Sequence, residues 1–157
     1  MKKRPVLTIL LSIAIAEGVG FLSGLLAGDI RTVYYQLNRP PLSPPGWVFP
    51  VVWGILYALM GIAAGLIWLN RGDERSREQA LIYYSVQLAV NFSWSIVFFR
   101  FQSFWLAVMI ILILDVLVWI TRRHFDRLSP AAGWLLVPYL AWLLFATYLA
   151  IGVFVLN

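Results

Sequence analysis

Three polar residues interrupt long apolar stretches of this chain, and they are the first candidates for chemistry. Glu17, Asn91 and Asp115 each lie near the middle of such a stretch. If these stretches cross a bilayer, ionisable side chains at that depth are costly, and by default they suggest function. For Glu17 and Asp115 two interpretations stay open: a step on a transport path, or hydrogen-bonded structural glue between helices. No helix repeats charged positions as a voltage sensor would.

Metal and nucleophile chemistry has little support. The chain has one histidine and no cysteine. His124 follows Arg122 and Arg123, which is typical of a charged surface, and no second ligand stands at metal-ligand spacing. We therefore predict no metal site. Phosphate-binding loops, Ser-His-Asp sets and nucleotide fingerprints are also missing from the sequence.

Aromatic residues recur at helical spacing and indicate a ligand cavity. Trp53 and Tyr57 lie one turn apart. A later stretch carries a mixed face of Tyr84, Gln87, Asn91, Trp94, Ser95 and Phe98, and the last stretch carries Trp134, Pro138, Trp142, Phe145 and Leu149. A lipid-facing helix gains nothing from amide and hydroxyl groups, so the mixed face should point inward. Aromatic walls with a few polar groups suit a flat apolar ligand, although simple packing is the alternative.

The elements that carry these residues are five apolar stretches, at roughly 6–28, 47–70, 81–99, 104–121 and 131–156. About 20 apolar residues in a helix cross a hydrocarbon core of about 30 Å. The stretches lack the alternation of barrel strands. We predict an all-α membrane protein, a five-transmembrane-helix bundle formed by one domain over residues 1–157.

The segment 29–46 cannot be helical throughout, because Pro40, Pro41, Pro44 and Pro45 remove amide donors and restrict the residues before them. It is nevertheless rich in tyrosine and leucine, unlike a solvated linker. We expect it to pack over the mouth of the bundle as a lid. Pro138 predicts a kink within the fifth helix.

Glycines at four-residue spacing, Gly20, Gly24 and Gly28, allow two helix backbones to approach closely. Gly61 and Gly65 repeat the pattern in the second helix. We expect packing within the bundle, and the alternative is a contact between two copies in a homodimer.

The first apolar stretch has some features of a cleaved signal peptide. A basic start precedes an apolar run and an A-x-A pattern at residues 14–16. The apolar character continues to Gly28, so we expect the stretch to be retained as a helix.

The net charge of +5 does not indicate nucleic-acid binding, because the basic residues are segregated. Nine of the 12 lysines and arginines fall in three segments that share one side of a five-helix bundle. The other side has only Arg31, Arg39 and Arg100. The positive-inside rule then predicts a multi-pass protein of the cell membrane with a cytoplasmic N-terminus and an external C-terminus.

Several motifs resemble one known family. They are Tyr35–Pro40, Ser43–Gly46, Val52–Tyr57, Gln87–Ser95 and Pro138–Leu149, in this order. The sequence is similar along nearly its whole length to the tryptophan-rich sensory protein/translocator protein (TspO/MBR) family.

The resemblance implies a five-helix bundle, often dimeric, with a cavity near the first interhelical loop that binds porphyrins such as protoporphyrin IX or haem. Carried over by motif, the pocket positions are Tyr34, Pro44, Trp53, Tyr57, Asn91, Ser95, Trp142 and Ala146. The inward faces add Trp94, Phe98 and Phe145. Val33 stands where relatives often have tryptophan, and nothing basic follows Tyr148, so the sterol-recognition pattern of animal members is incomplete.

The leading hypothesis is a porphyrin-binding receptor or sensor tied to tetrapyrrole handling or stress, with no required cofactor. An enzymatic alternative is light-dependent porphyrin degradation, in which Trp53 is the catalytic residue. A third hypothesis is transport, with Glu17 or Asp115 on the path.

The charge distribution makes a testable prediction about orientation. Reporter proteins fused at Arg75 and at Asn157 should report opposite sides of the membrane, with the Arg75 fusion in the cytoplasm. An external Arg75 fusion would contradict the orientation.

Overall fold

A computed structural model describes residues 4–157, and these residues form helices joined by short loops, without any strand. Lys2 and Lys3, which the charge argument uses, lie outside the described residues. The helices are α1 Pro5–Leu26, α2 Ile30–Gln36, α3 Val48–Leu69, α4 Glu74–Ser95, α5 Phe104–Leu128, α6 Pro130–Leu135 and α7 Val137–Leu156. A π-helical segment, Ile96–Arg100, continues α4.

Five helical spans are long and apolar enough to cross a bilayer: α1, α3, α4 with its π-helical segment, α5, and α6 together with α7. This confirms the predicted all-α five-helix fold. The spans alternate in direction. We call the end with Arg4, the α3–α4 loop and the α5–α6 junction the basic end, and the end that carries α2 the mouth end.

Two helices extend beyond their predicted limits at the basic end. α4 starts at Glu74 rather than near 81, because the Asp73 carboxylate accepts a hydrogen bond from the Ser76 backbone N–H at 3.1 Å and caps the first turn. Hydrogen bonds from Ser76 hold the pKa of Asp73 below its usual value. α5 continues past 121 to Leu128, since Phe125 is fully buried in the core. Charged sequence at these positions had suggested loops.

The first interhelical segment contains a short helix, α2, which Asp29 caps by accepting a hydrogen bond from the Thr32 backbone N–H at 3.2 Å. The proline-rich remainder lies against the end of α7. Tyr148 donates a hydrogen bond to the Pro41 carbonyl at 2.7 Å, and the Pro40 ring lies where a side chain on Gly152 would stand. The segment is thereby tied to the mouth end.

The fifth span is broken where proline predicted a kink. α6 ends at Leu135 and α7 begins at Val137, with Leu136 between them and Pro138 in the first turn of α7. Proline suits the first turn because its missing N–H needs no partner there.

Close packing of α1 on α3 depends on glycine. A Cβ built on Gly61 would lie 2.4 Å from the Ile13 Cα, and one on Gly65 would lie 3.1 Å from the Ile9 Cα. The predicted glycine packing in the second span is therefore confirmed.

The glycines of α1 are not equivalent. A Cβ on Gly20 would lie 2.3 Å from the Tyr57 ring, so this glycine does pack inside the bundle. Gly24 has no neighbour within 4 Å of such an atom, and Gly28 has a φ of +84° and ends the helix. The packing expected for Gly24 and Gly28 was wrong.

We predict that Gly61→Ala destabilises the fold, because the new methyl group would meet α1 backbone rather than a movable side chain. Overpacking of this kind costs about 1–3 kcal/mol. Gly18→Ala is the matched control, since that position is open. Thermal unfolding in detergent should show a lower Tm for Gly61→Ala only, and equal Tm values would contradict the packing argument.

Candidate ligand-binding cavity

A cavity of about 890 Å³ opens at the mouth end. Its walls come from α1, α2, α3, α7 and the junction of α4 with the π-helical segment, and the lid contributes Arg39, Ser43 and Gly46. The volume is near the upper limit for small-molecule sites, which are about 300–1,000 Å³. Gly20 and Gly24 also line the cavity, and because they have no side chains they contribute only backbone to the α1 wall.

The structure brings most of the sequence-predicted site residues together around this cavity. Eight of them line it: Tyr34, Trp53, Tyr57, Trp94, Ser95, Phe98, Trp142 and Ala146. Pro44, Asn91 and Phe145 are not part of its lining.

Asn91 lies beneath the cavity in a buried hydrogen-bond chain. Its side-chain oxygen accepts from the Tyr57 hydroxyl at 2.7 Å, and its amide donates to the Tyr139 hydroxyl at 2.7 Å. Tyr139 donates onward to the Gln87 side-chain oxygen at 2.7 Å. Asn91 thus holds the cavity floor and does not face a ligand directly. Asn91 is therefore not part of the cavity lining, where the sequence had placed it.

The other two residues support neighbours that do line the cavity. The Pro44 carbonyl accepts a hydrogen bond from the Tyr34 hydroxyl, which fixes that ring under the lid. Phe145 lies between Trp142 and Tyr148, with ring centroids 5.5 Å and 6.2 Å away.

The aromatic walls hold one another in place. The Trp53 ring lies 5.5 Å from the Tyr57 ring and 6.1 Å from the Tyr139 ring. Trp94 stacks on Phe98 at 4.9 Å and donates its indole N–H to the Ala107 carbonyl at 3.1 Å. These contacts fix the rings before any ligand arrives.

Trp142 is the exception among the wall residues, because its indole N–H is buried and has no acceptor among residues 4–157. Its ring meets Phe49 edge-on at a centroid distance of 5.9 Å.

Three charged residues line the cavity that sequence reasoning did not assign to it. Glu17 is on α1, Arg31 is on α2, and Arg39 is in the lid. The Arg39 guanidinium carbon lies 4.6 Å from the Tyr34 ring centroid and 5.1 Å from that of Tyr35. The one available signal was that both arginines lie on the side of the bundle that is otherwise poor in positive charge.

The remaining candidates lie elsewhere. Thr147 Oγ1 is 2.6 Å from Asp115 Oδ2 and 2.8 Å from the Leu143 carbonyl, at the contact of α5 with α7. The Thr147 hydroxyl is the donor to both acceptors, and its contact with Asp115 joins α7 to α5.

His124 stacks on Tyr83 at 4.7 Å near the basic end. In the part of the chain that the structure describes, no three His, Cys, Asp or Glu residues are grouped as metal ligands would be.

We predict that Asn91→Leu lowers the stability of the bundle, because it removes the hydrogen-bond partner of both Tyr57 and Tyr139. Interhelical hydrogen bonds in membranes contribute about 0.6–1.7 kcal/mol each. Ser95→Ala, one turn later on the same helix and in the cavity wall, is the control and should unfold like the parent protein. A parent-like Tm for Asn91→Leu would refute the supporting role of Asn91.

Comparison with known proteins agrees with the family resemblance of the sequence motifs. The sequence model described as the TspO/MBR family matches residues 12–156. A Chlorobaculum tepidum protein named tryptophan-rich protein TspO is 34% identical over 155 residues, 98% of each chain. The Cereibacter sphaeroides tryptophan-rich sensory protein is 39% identical over 124 residues, which are 79% of this chain and 76% of the relative.

The similarity extends to animals. The human translocator protein is 37% identical over 130 residues, which are 81% of this chain and 76% of the human protein. The family model matches most of the chain, and relatives above 30% identity occur both in Chlorobaculum tepidum and in humans. This chain therefore belongs to the TspO/MBR family.

Proposed function

We propose that the mouth-end cavity binds a porphyrin, such as protoporphyrin IX or haem, and that the protein is a receptor or sensor in tetrapyrrole handling or stress response. The chain is a multi-pass membrane protein of the TspO/MBR family. The printed name of the Cereibacter sphaeroides relative, a sensory protein, is consistent with the proposed role.

The observation that carries this proposal is the combination of a roomy cavity with prearranged aromatic walls. Trp53 and Trp142 both line a space of about 890 Å³. A flat macrocycle gains affinity by stacking on rings whose positions are already set, because little side-chain entropy is lost on binding.

The charges of the cavity favour one orientation of a porphyrin. Arg31 and Arg39 can pair with the carboxylates that a porphyrin carries on one edge. Glu17, on α1, would repel a carboxylate placed beside it. The carboxylate edge should therefore face the lid and the ring should face the aromatic walls.

Iron ligation does not enter this proposal. His124 is near the basic end, away from the cavity, and its ring stacks on Tyr83. We therefore expect metal-free protoporphyrin to bind about as well as haem.

A second function, light-dependent porphyrin degradation, is favoured by the position of Trp53. Its oxidisable indole is in the cavity wall, where a bound macrocycle would lie against it. Tyr57 and Tyr139, the rings next to it, are engaged in the buried hydrogen-bond chain. For transport we find no comparable observation: Glu17 lines the cavity, whereas Asp115 lies at the α5–α7 contact.

For the cellular arrangement we propose the cell membrane, with the basic end in the cytoplasm and the mouth end outside. Seven of the described arginines lie at or near the basic end: Arg4, Arg71, Arg75, Arg77, Arg122, Arg123 and Arg127. Porphyrin would then enter from the external side. A homodimer, as the family resemblance implies, is part of this proposal.

We predict that Trp53→Ala weakens protoporphyrin IX binding by roughly 1–3 kcal/mol, the value of ring stacking on an aromatic side chain in nucleic-acid complexes. Trp53→Phe keeps a ring and should bind within about tenfold of the parent, or 1.4 kcal/mol. Titration followed by tryptophan fluorescence and the porphyrin spectrum measures both values. Trp105→Ala is the matched control, because Trp105 is 60% exposed and outside the cavity.

Illumination of the same samples separates binding from chemistry. An enzyme would bleach porphyrin faster than free solution does, and Trp53→Phe would lose that activity while retaining binding. A receptor would leave the bleaching rate unchanged in both proteins. Parent-like affinity of Trp53→Ala would mean that porphyrin does not bind in this cavity.

A further inference from the structure

The outer surface of the bundle has a second concavity, separate from the mouth-end cavity. It is a groove of about 750 Å³ between α1 and α4, with α3 as its floor, and none of its lining residues also line the cavity. It opens at the basic end, where Thr8, Trp68 and Leu81 line it. We call it the outer groove.

At the far end of the outer groove, α1 and α4 are joined by a hydrogen bond. There Ser23 donates a hydrogen bond to the Phe92 carbonyl at 2.8 Å. Nearer the basic end, α4 presents Ser85 and Ala89, which are small and exposed. α1 is meanwhile held against α3 by Gly61 and Gly65. Two helices that both pack on α3 are thus separated by a slot.

The walls of the outer groove suit an apolar chain. Leu11, Ile15, Val19 and Leu88 contribute aliphatic surface. The Ser85 hydroxyl is turned back onto the Leu81 carbonyl at 2.8 Å, so this polar group requires no partner from an occupant.

The length of the outer groove matches one leaflet of a bilayer. From Thr8 to Val19, α1 rises about 16 Å at about 1.5 Å per residue. Half of a hydrocarbon core of about 30 Å is about 15 Å. An acyl chain that enters at the basic end would therefore extend along α1 as far as Val19, just past the middle of that helix, and end before the Ser23–Phe92 contact.

Positive charge lies at the open end of the outer groove. Arg4 comes one turn before Thr8, Arg71 follows Trp68 closely, and Arg77 comes one turn before Leu81. The nearby acids are partly engaged: Asp73 caps α4 through Ser76, and Glu74 is 4.0 Å from Arg77.

The remaining charges near this opening do not cancel the excess. Arg77 also donates to the Trp68 and Asn70 carbonyls, at 3.4 Å and 3.3 Å. Glu78 is the other acid near the start of α4, and its single negative charge is fewer than the two positive charges of Arg4 and Arg71. In the sequence Lys2 and Lys3 precede Arg4, which adds positive charge to the same terminus.

We propose that the outer groove binds one anionic phospholipid, with an acyl chain between α1 and α4 and the phosphate near Arg4 and Arg71. This site is independent of the porphyrin proposal. Basic residues close to an anionic leaflet each contribute roughly fivefold in affinity. A second copy of the chain is the competing occupant, because Ser85 and Ala89 have the spacing of small residues that allows helix contacts.

The test is native mass spectrometry of the full-length protein, released from detergent micelles with added phosphatidylglycerol or phosphatidylcholine. We expect one retained phosphatidylglycerol per chain and weaker retention of phosphatidylcholine. Ala89→Phe fills the outer groove and should reduce retention at least fivefold. Ala141→Phe is the matched control, because Ala141 is also an exposed alanine, on α7 and outside the outer groove, and it should bind lipid like the parent.

The headgroup contact is tested separately. The double variant Arg4→Gln/Arg71→Gln should bring phosphatidylglycerol retention down to that of phosphatidylcholine. Arg123→Gln is its control, since Arg123 is at the same end but lies 5.0 Å from the Trp119 ring on α5. Circular dichroism and thermal unfolding in detergent verify that each variant is folded.

Three results would overturn the proposal. Parent-like lipid retention by folded Ala89→Phe would show that the lipid lies elsewhere. Equal parent retention of the two lipids would remove the role of the anionic headgroup. A lipid-free parent dimer that Ala89→Phe converts to monomer would make the outer groove a contact between copies.

Discussion

The hydrogen-bond chain that runs from Tyr57 through Asn91 and Tyr139 to Gln87 is the interaction on which the rest of the structure depends. It joins α3, α4 and α7 at a level where lipid offers no hydrogen-bond partner. Helices in a bilayer gain little from hiding apolar surface, so packing and polar contacts of this kind must hold them together. The chain closes the bundle beneath the cavity and sets the position of the Tyr57 ring. That ring occupies the space that Gly20 leaves on α1.

The floor of the mouth-end cavity is consequently fixed by this hydrogen-bond chain, and the lid segment covers the cavity. Trp53 rests against two rings of the hydrogen-bond chain, so its orientation follows from that chain. The lid is held by side-chain contacts with α7, including the Tyr148–Pro41 hydrogen bond. These contacts hold the cover in place over the aromatic walls of the cavity. The outer groove has the opposite character: it is open to lipid along one side.

Much of the fold could be predicted from the sequence, but the ends of its helices could not. Apolar length predicted the five spans, since a bilayer imposes that length on any helix that crosses it. The first turns of α4 were missed because their charged residues resemble a loop, and the Asp73 cap explains why the helix begins there. At the site, aromatic spacing located Trp53, Tyr57, Trp94 and Trp142 on the cavity wall. Periodicity could not distinguish a residue that lines a cavity from one a layer beneath it, and Asn91 was misplaced for that reason.

The sequence by itself determined that the chain crosses a membrane, how often it does so, which family it resembles and which helix faces point inward. These properties depend on composition and on periods of a few residues, which a linear pattern retains. Only the tertiary structure decided that Asn91 supports the floor, that Glu17, Arg31 and Arg39 meet at the cavity, and that α1 and α4 leave the outer groove between them. Those outcomes depend on distances between separate helices. The glycine contacts and hydrogen bonds that set these distances pair residues far apart in the chain, and no local pattern records which partner each will have.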